Sequence, residues 1–558
     1  MERLVARIRE TYAKIRAHEE CPVWISLVPE EITVGRAEDL DLNLPLAGML
    51  FAIKDNIDLV GIATTAGCPG FAYVPGESAT VVARLMSAGA IPIGKTNLDQ
   101  FATGLVGTRS PYGALSSVFN QAYISGGSSS GSAVAVAAEL VDFSLGTDTA
   151  GSGRVPASLN NLIGVKPTCG ALSTKGVVPA CRTLDCVSIF SRDLVTAAKV
   201  LEVARGFDPG DAYSRPAGQR KAWPAQGFRF GVPAASQLEF FGDESARELY
   251  YKAVAEYEAR GGVRVEFDFT PFRDVAQLLY SGPWVGERLA AIKEFAAASP
   301  EALHPVTAAI ILKAAAFSAV DTFEATYKLA ELRRVAAGEL ATFDFMLLPT
   351  NGAAYTHAEV AAEPITLNTN LGYYTNFVNL LDLAALAVPS GFRANGMPFG
   401  VTLIGPAWSD EALLATAGQK MPYCPAGYVP LAVCGAHLTG MPLNYQLQDA
   451  GAFLLEACRT TPSYRFYALR GTVPLKPGLV YAPGNGAAIH VEVWAVPEST
   501  FGRFVAAVPP PLAIGSATLE SGRVVKSFVC EPYAIGEATE ITHLGGWKPF
   551  IMQQAASK

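Results

Sequence analysis

Short hydrophobic runs alternate with amphipathic stretches along most of this chain. We predict a strand ending at Lys54 and Asp55 from the apolar run LPLAGMLFAIKD. The later segment TVVARLMSAGAIPIGKTNL predicts a helix followed by a buried strand. Because this alternation continues to about Phe190, the pattern predicts an α/β core.

Elements are also predicted on both sides of this core. Residues 1–44 predict one or two helices with a connecting loop, beginning with a charged amphipathic helix. Residues 191–206 predict a helix that starts at a Ser/Asp pair and stops at a glycine. The remaining predictions are a strand, a helix and a strand in 228–270, mainly helices in 271–340, and strands within 343–350, 371–391 and 397–406.

A Pro/Gly-rich stretch without periodicity interrupts this pattern at 417–430. Beyond it, strand-like segments alternate with Gly/Pro turns. We therefore predict a large α/β domain over 1–425, which includes the N-terminal helical segment, and a smaller domain over 430–558. A length of 558 residues would also be compatible with three or four domains.

Composition indicates a packed globular protein and argues against charged macromolecular partners. Half of the residues are hydrophobic and 17% are charged, which argues against disorder. The net charge is −8 and no Lys/Arg block stands out, so neither nucleic acid nor a membrane is an expected partner. No signal peptide or long apolar span is visible. Nine scattered cysteines without a C-x-x-C pair suit a reducing cytoplasm and argue against a disulfide framework or a zinc ribbon.

The strongest chemical signal is a pair of Gly/Ser-rich loops between Ser125 and Arg154, SGGSSSGS and GTDTAGSGR, separated by a small-residue helix and an apolar run. Such loops could place two serines side by side. The chain from Met49 to Val200 contains no histidine, so the nearest candidate base for a serine is Lys54. A lysine can act as a base when burial lowers its pKa.

Each of these segments also has a simpler interpretation. A Gly/Ser loop before a helix is often only a turn or an anion-binding nest. A Lys-Asp pair after a strand is usually a solvated strand end. Only the combination of the three segments favours catalysis.

In combination, Lys54 in KDN, GGSSSGSAVAVAA and GTDTAGSGRVPASLNNLIGVKPT resemble the amidase signature family, closely over 45–200 and more loosely over the rest of 1–415. The resemblance implies a mixed central sheet flanked by helices. It implies that Ser152 is the acylated nucleophile, that Ser128 is a bridging serine at a cis peptide bond, and that Lys54 is the terminal base. It further implies an oxyanion hole made by the backbone N–H groups of Thr149, Ala150, Gly151 and Ser152. Ser130 and Ala150 stand where many members have glycine, and an alanine can still donate its N–H.

The implied mechanism is a two-step acyl transfer. Lys54 takes a proton from Ser152 through Ser128, and Ser152 attacks an amide carbonyl. Ammonia leaves, and an activated water hydrolyses the acyl-enzyme. The resemblance implies neither a cofactor nor a metal.

The segment YSGPWVGER, Tyr280 to Arg288, bears on the substrate. An arginine about two helical turns beyond a tyrosine could clamp a carboxylate, although a surface arginine and a core tyrosine give the same spacing. Together with FATGLVGTRSPYG at 101–113 and VCGAHLTGMPLN … GGW, this segment resembles the allophanate hydrolases within the amidase signature family. That likeness implies that Tyr280 and Arg288 bind allophanate, a carboxylated urea.

The C-terminal unit opens like gamma-glutamylcyclotransferase-like α+β folds. The resemblance implies a second step there, decarboxylation of the N-carboxycarbamate left by the first hydrolysis, with His437 as candidate acid or base. His437 could equally cap a strand or pack structurally, and the domain could mainly support dimerisation. A homodimer is typical of the family.

The chain shows no biotin-attachment motif, so we expect a separate urea carboxylase to supply the allophanate. Two other functions stay open. One is a different amidase, such as the glutaminase subunit of a tRNA-dependent amidotransferase, and the other is a non-catalytic binding protein with the same fold.

Overall fold

The computed structural model describes residues 2–17, 20–225, 227–418, 427–520 and 524–556. The chain divides into two compact units, Met1–Gln419 and Lys420–Lys558. The predicted break at 417–430 falls largely on residues 419–426, outside the described residues, so its position stays a prediction.

The first unit is built on one large sheet. Within the described residues, eleven strands follow the order β1-β3-β2-β6-β8-β7-β12-β13-β11-β9-β10, and β4 and β5 form a separate hairpin. Parallel and antiparallel neighbours are mixed. The strands are β1 (Trp24–Leu27), β2 (Leu50–Lys54), β3 (Ile91–Thr96), β4 (Ser116–Ser117), β5 (Asn120–Ile124), β6 (Phe143–Asp148), β7 (Ile163–Lys166), β8 (Cys186–Ser191), β9 (Arg229–Pro233), β10 (Val263–Phe267), β11 (Phe345–Pro349), β12 (Leu383–Phe392) and β13 (Pro398–Pro406).

Helices surround this sheet. They are α1 (Glu2–Ala17), α2 (Glu30–Glu38), α3 (Thr80–Ser87), α4 (Ser130–Ala137), α5 (Val155–Leu159), α6 (Leu194–Ala204), α7 (Glu244–Ala259), α8 (Thr270–Ser281), α9 (Val285–Ala298), α10 (Pro305–Ile311), α11 (Ala319–Leu340), α12 (His357–Ala362), α13 (Thr366–Leu371) and α14 (Asp410–Gly418). The predicted α/β class with a mixed central sheet is therefore confirmed.

Most predicted elements of the first unit occur where the pattern places them. Asp193, for example, caps α6 by accepting a hydrogen bond from the Thr196 N–H, as the Ser/Asp start predicted. The prediction for residues 1–44 was incomplete, because the half-buried strand β1 lies between α1 and α2 and pairs antiparallel with β3 at the edge of the sheet. A four-residue strand at a sheet edge has too short a pattern to be recognised.

Two parallel neighbours in this sheet position the candidate site. Strand β2 pairs in parallel with β3 and with β6. The carboxyl ends of β2 and β6 therefore meet at the same edge, which brings Lys54 and Asp148 together. Helix α4, composed of small residues and buried from Ser130 to Val136, packs against both strands.

The second unit has its own core and is an α+β structure. In its described part, the sheet order is β15-β18-β14-β20-β19, and a smaller sheet has the order β17-β16-β21. The strands are β14 (Tyr428–Val433), β15 (Phe453–Arg459), β16 (Tyr464–Ala468), β17 (Pro477–Tyr481), β18 (His490–Pro497), β19 (Leu512–Thr518), β20 (Val524–Cys530) and β21 (Thr539–Glu540), and the helices are α15 (Asn444–Asp449), α16 (Glu498–Ala506) and α17 (Trp547–Ala556). The likeness to gamma-glutamylcyclotransferase-like folds stays a prediction.

Among the described residues, no single helix is long and apolar enough to cross a membrane. Two helical segments, Pro305–Ala316 and Ala319–Leu340, reach the required length and hydropathy only when joined across a bend of 100°.

Candidate active site

Lys54 is the last residue of β2 and is completely buried. Its Nζ lies 2.8 Å from Ser128 Oγ and 2.8 Å from Thr147 Oγ1, at hydrogen-bonding distance to both. A neutral amine in this position can donate a hydrogen to one hydroxyl and accept the proton of the other. The predicted residues Lys54 and Ser128 are therefore in direct contact. Lys54 forms no salt bridge with any of the residues described.

Burial lowers the pKa of Lys54 to about 7, and the positive charge of Arg288 acts in the same direction. The carboxylates of Asp99, Asp185 and Asp148 oppose this shift. A large share of Lys54 is therefore neutral near pH 7, which is the state that a general base requires.

Ser128 lies in the loop that precedes α4, and the peptide bond between Gly127 and Ser128 is cis, as expected from the resemblance. The position before it requires glycine, because a Cβ on Gly127 would lie 2.2 Å from Asp99 Oδ2 and 2.5 Å from the Gly107 nitrogen. The Asp99 N–H donates to the Ser128 carbonyl oxygen at 3.1 Å. Backbone contacts therefore fix where the Ser128 hydroxyl lies.

The loop after β6 is shaped by a buried ion pair that the sequence analysis did not identify. Arg154 donates to Asp148 through Nε at 2.8 Å and through Nη2 at 2.9 Å, with both side chains completely buried. Asp148 also accepts the N–H groups of Gly151 and Gly153, at 2.9 and 3.0 Å. Burial alone would raise the pKa of Asp148, but the Arg154 guanidinium holds it below its ordinary value. These hydrogen bonds to the Asp148 carboxylate fix the backbone conformation of the loop.

Ser152 sits in this loop and is 3% exposed. Its Oγ lies 3.5 Å from the Gly104 carbonyl oxygen. In the part of the chain that the structure describes, no hydrogen bond joins Ser152 to Ser128. The structure therefore connects only the Lys54–Ser128 half of the expected relay, and it places Ser152 in the loop that follows β6.

Backbone N–H groups of the same loop differ in their availability. Within the described ranges, those of Thr149, Ala150 and Ser152 donate to no protein acceptor. The N–H of Gly151 donates to Asp148 instead, so it would have to leave that carboxylate to serve an oxyanion. Three of the four predicted donors are open in this structure.

Side-chain contacts hold the unoccupied donors in place. Thr149 Oγ1 donates to Asp185 Oδ1 at 2.5 Å. Thr375 Oγ1 donates to the Ala150 carbonyl oxygen at 2.6 Å. Burial raises the pKa of Asp185, whose oxygens also accept two backbone N–H groups. These contacts orient the loop from both sides.

Tyr280 and Arg288 meet, although not along one helix as their spacing suggested. Helix α8 ends at Ser281 and α9 begins at Val285, with Gly282 and Pro283 between them. Arg288 is 2% exposed, and its Nη2 lies 3.3 Å from the Tyr280 hydroxyl. Its Nη1 contacts the Ala102 carbonyl oxygen at 3.2 Å and Thr103 Oγ1 at 3.1 Å. The alternative of a surface arginine is therefore wrong.

Residues 102–104 connect this arginine to the serine loop. Arg288 contacts Ala102 and Thr103, while Ser152 contacts the next residue, Gly104. Arg288 Nε is buried and has no partner within the described residues. A guanidinium with an unused buried donor beside a candidate nucleophile is suited to bind an anionic group.

His437 lies in the second unit, in a cavity of about 540 Å³. Its Nε2 is 2.9 Å from Gln446 Oε1, and its ring stacks on Phe528 with centroids 5.0 Å apart. Burial lowers its pKa. Lys476 and Arg503 also line the cavity. His437 therefore lines a cavity that also has basic residues in its wall. In the described part of the chain, no three His, Cys, Asp or Glu side chains are grouped as metal ligands.

Several residues that were not predicted from the sequence hold Lys54 or the Ser152 loop in place. Thr147, Asp148 and Arg154 all lie inside the motif GTDTAGSGR. The acidic Asp148 and the basic Arg154, one on each side of the loop, could therefore have indicated an ion pair. Asp185 and Thr375 come from distant segments, and no local pattern links them to the loop.

Comparisons with known proteins show that this chain belongs to the amidase family. The family model "Amidase" matches residues 2–414, and "Allophanate hydrolase C-terminal domain" matches residues 429–552. The allophanate hydrolase of Kluyveromyces lactis is 43% identical, with a TM-score of 0.72, and the alignment covers 99% of this chain and 97% of that one. A urea amidolyase of Lachancea kluyveri is 44% identical over 95% of this chain. A glutamyl-tRNA(Gln) amidotransferase subunit from a Synechococcus strain is 33% identical over 67% of this chain and 83% of its own length.

The chain spans only 31% of the length of the two urea amidolyases that it matches.

Proposed function

Because this chain belongs to the amidase family and carries an allophanate hydrolase C-terminal domain, we propose that it hydrolyses allophanate, releasing ammonia and then carbon dioxide. The observation that carries the proposal is the buried contact of 2.8 Å between Lys54 Nζ and Ser128 Oγ. It supplies a base for a serine without any histidine.

In the first step, neutral Lys54 accepts the proton of Ser128, and Ser128 accepts that of Ser152. This relay requires the Ser152 side chain to exchange its contact with Gly104 for one with Ser128. Catalytic hydrogen bonds are often long before substrate binds, and a serine side chain turns about a single torsion. Ser152 Oγ then attacks the terminal carbamoyl carbon of allophanate.

The developing oxyanion would accept hydrogen bonds from the N–H groups of Thr149, Ala150 and Ser152, which have no protein acceptor among the described residues. Removing one such donor typically lowers kcat by about 10²- to 10³-fold. The proton held by the relay passes to the leaving nitrogen, and ammonia departs. Water activated by the same relay then cleaves the acyl-enzyme ester and releases N-carboxycarbamate.

Arg288 and Tyr280 would bind the carboxylate at the other end of allophanate. Support comes from the burial of Arg288, its unpaired Nε, and its link to the Ser152 loop through residues 102–104. A charge-assisted hydrogen bond to a carboxylate is about twice as strong as a neutral one. This contact would select an anionic substrate over an uncharged amide.

The second unit would act on the product. We propose that N-carboxycarbamate enters the cavity lined by His437, where Lys476 and Arg503 attract its carboxylates and His437 transfers the proton that decarboxylation requires. The low pKa of the His437 imidazole keeps the ring neutral near pH 7. A neutral imidazole hydrogen-bonded to Gln446 can both donate and accept.

Partners and location are proposals of the same kind. Allophanate would come from carboxylation of urea. Cys68, Cys181 and Cys434 are buried free thiols, which is compatible with a cytoplasmic enzyme. A homodimer is expected from the family.

The decisive test is ammonia release from allophanate, biuret, malonamic acid and glutamine, with Ser152→Ala as the control. Strong activity on allophanate that is lost in Ser152→Ala would support the proposal. Activity on glutamine that appears only with added partner subunits would favour the amidotransferase alternative. Equal binding without turnover in both proteins would favour a non-catalytic role.

A further inference from the structure

Three residues near the start of β8 form a cluster that takes no part in the hydrolysis proposed above. Lys166 ends β7, Cys169 lies in the loop after it, and Cys186 begins β8. The two sulfur atoms are 3.4 Å apart. Lys166 Nζ lies 3.5 Å from the Cys186 sulfur and 3.9 Å from the Cys169 sulfur. Cys169 and Cys186 are therefore in contact with each other and with Lys166.

Charge balance explains why a lysine is tolerated at this position. Lys166 is completely buried, and it donates to the Pro167 carbonyl oxygen at 2.8 Å. Within the described residues no carboxylate oxygen lies within 4.0 Å of its Nζ. A buried ammonium group requires an anion nearby. The Asp148 carboxylate acts on Lys166 from farther away, and a thiolate within the contacting pair would balance the charge directly.

The two cysteines have different roles in such a pair. The hydrogen bond from the Cys186 thiol lowers the pKa of Cys169 to about 7, and the Lys166 charge adds to this effect against the opposing influence of burial. Cys169 is partly exposed, whereas Cys186 is 3% exposed. Of the two residues Cys169 is the more exposed, so we assign it as the sulfur that meets an oxidant first and Cys186 as its resolving partner.

We propose that Cys169 and Cys186 form a reversible oxidation site for hydroperoxides. The Cys169 thiolate attacks the hydroperoxide and takes its terminal OH as the O–O bond breaks, which gives a sulfenic acid. The leaving oxygen takes up a proton from solvent, equal to the one that Cys169 lost on ionising, and departs as an alcohol or as water. The Cys186 sulfur then attacks the Cys169 sulfur, the S–O bond breaks, and water leaves with the Cys186 proton. Two electrons from the two thiols reduce one hydroperoxide.

Closing the disulfide requires a small movement. A disulfide bond is about 2.0 Å long, so the sulfurs must approach by about 1.4 Å. Because Cys169 lies in a loop, it can make this movement without displacing the sheet. In a reducing compartment the bond would be transient, since thiol exchange reopens it.

The test uses the full chain treated with hydrogen peroxide, then alkylated and digested with trypsin without a reductant. Trypsin cleaves after Arg154, Lys175, Arg182 and Arg192, but not after Lys166, because Pro167 follows it. Cys169 and Cys186 therefore fall in the separate peptides 155–175 and 183–192, and Cys181 falls in a third, 176–182. We expect 155–175 and 183–192 to be recovered as one species, lighter than their sum by two hydrogens and separated by dithiothreitol.

Variants test the order of events. Cys186→Ser should leave Cys169 as a sulfenic acid that dimedone traps, and Cys169→Ser should give neither adduct nor linked peptides. Cys21→Ser is the matched control, because Cys21 is exposed and contacts no other thiol among the described residues. This variant should form the linked peptides as the unmodified chain does. Lys166→Met should slow oxidation of Cys169 by about tenfold or more, through a smaller thiolate fraction.

Two results would overturn the proposal. One is full alkylation of Cys169 and Cys186 at a peroxide dose that oxidises Cys21. The other is a link from Cys169 to Cys181 or to another cysteine. Both results are read from the unsubstituted chain, so they do not depend on the folding of any variant.

Discussion

Replacing Lys54 with methionine tests whether a neutral amine drives ammonia release. Methionine has a similar length and suits a buried position, but it has no lone pair that can accept the Ser128 proton. Loss of a general base typically lowers the rate by about 10²- to 10⁴-fold, and we expect a loss in that range for Lys54→Met.

The size of the effect follows from the burial of Lys54. With the ordinary pKa of 10.5, only about 3 in 10,000 of these side chains would be neutral at pH 7, whereas a pKa of about 7 makes about half of them neutral. The neutral form is the active one. The value of kcat/KM should therefore rise with pH through about 7 and level off above about pH 8.

The same titration changes stability in a predictable direction. Between about pH 7 and about pH 10.5 the unfolded chain keeps a proton on Lys54 that the folded chain has lost. The free energy of unfolding should therefore rise with pH across this window. From pH 7 to pH 9 the gain is about 2 kcal/mol relative to Lys54→Met, at about 1.4 kcal/mol per pKa unit.

The assays are initial rates of ammonia release and thermal unfolding midpoints for both proteins in one buffer series. Preincubation at each pH, followed by assay at pH 7, controls for inactivation. The assignment of Lys54 as the base fails if Lys54→Met retains more than about a tenth of the activity. It also fails if the rate is flat from about pH 6 to about pH 9 while the difference in Tm between the two proteins does not change.

Three further predictions address the rest of the site. Arg288→Met should lower kcat/KM for allophanate by about 10- to 100-fold and should lower kcat/KM for biuret far less, because biuret carries an amide where allophanate carries a carboxylate. Equal losses of kcat/KM for the two substrates would show that Arg288 does not bind the carboxylate. Thr375→Val removes the hydrogen bond to the Ala150 carbonyl and should lower kcat by up to about tenfold with KM nearly unchanged, and a change in KM alone would contradict a role in orienting the loop. His437→Ala should leave the first ammonia release intact and delay carbon dioxide release, and unaltered carbon dioxide kinetics would assign His437 a structural role.

The large domain was predictable because its elements have long and regular patterns. Strand β2 and helix α6 each combine a clear hydrophobic run with a recognisable end. Strand β1 was missed because four half-buried residues carry no usable period. The break between α8 and α9 was missed as well, since Gly282 and Pro283 were treated as part of one helical spacing although both residues favour a helix end.

The site was predictable only as far as its motifs extended. Lys54 ends a recognisable strand, Ser128 and Ser152 lie in recognisable loops, and the fold brings Lys54 and Ser128 into contact. Thr375 and Asp185, which orient the Ser152 loop, reach it from remote segments through tertiary packing. The use of the Gly151 N–H by Asp148 also follows from loop geometry, which the residue pattern alone does not specify.

The buried pair of Asp148 and Arg154 restricts how this protein can evolve. Losing either partner leaves an unpaired buried charge, which typically costs about 3–5 kcal/mol. Exchanging the two charges does not restore the site, because an arginine at position 148 cannot accept the N–H groups of Gly151 and Gly153. A change that removes one charge at a time therefore passes through a variant with an unpaired buried charge. We expect random mutagenesis under selection for folding alone to find both positions nearly invariant, while Ser152 beside them accepts alanine freely.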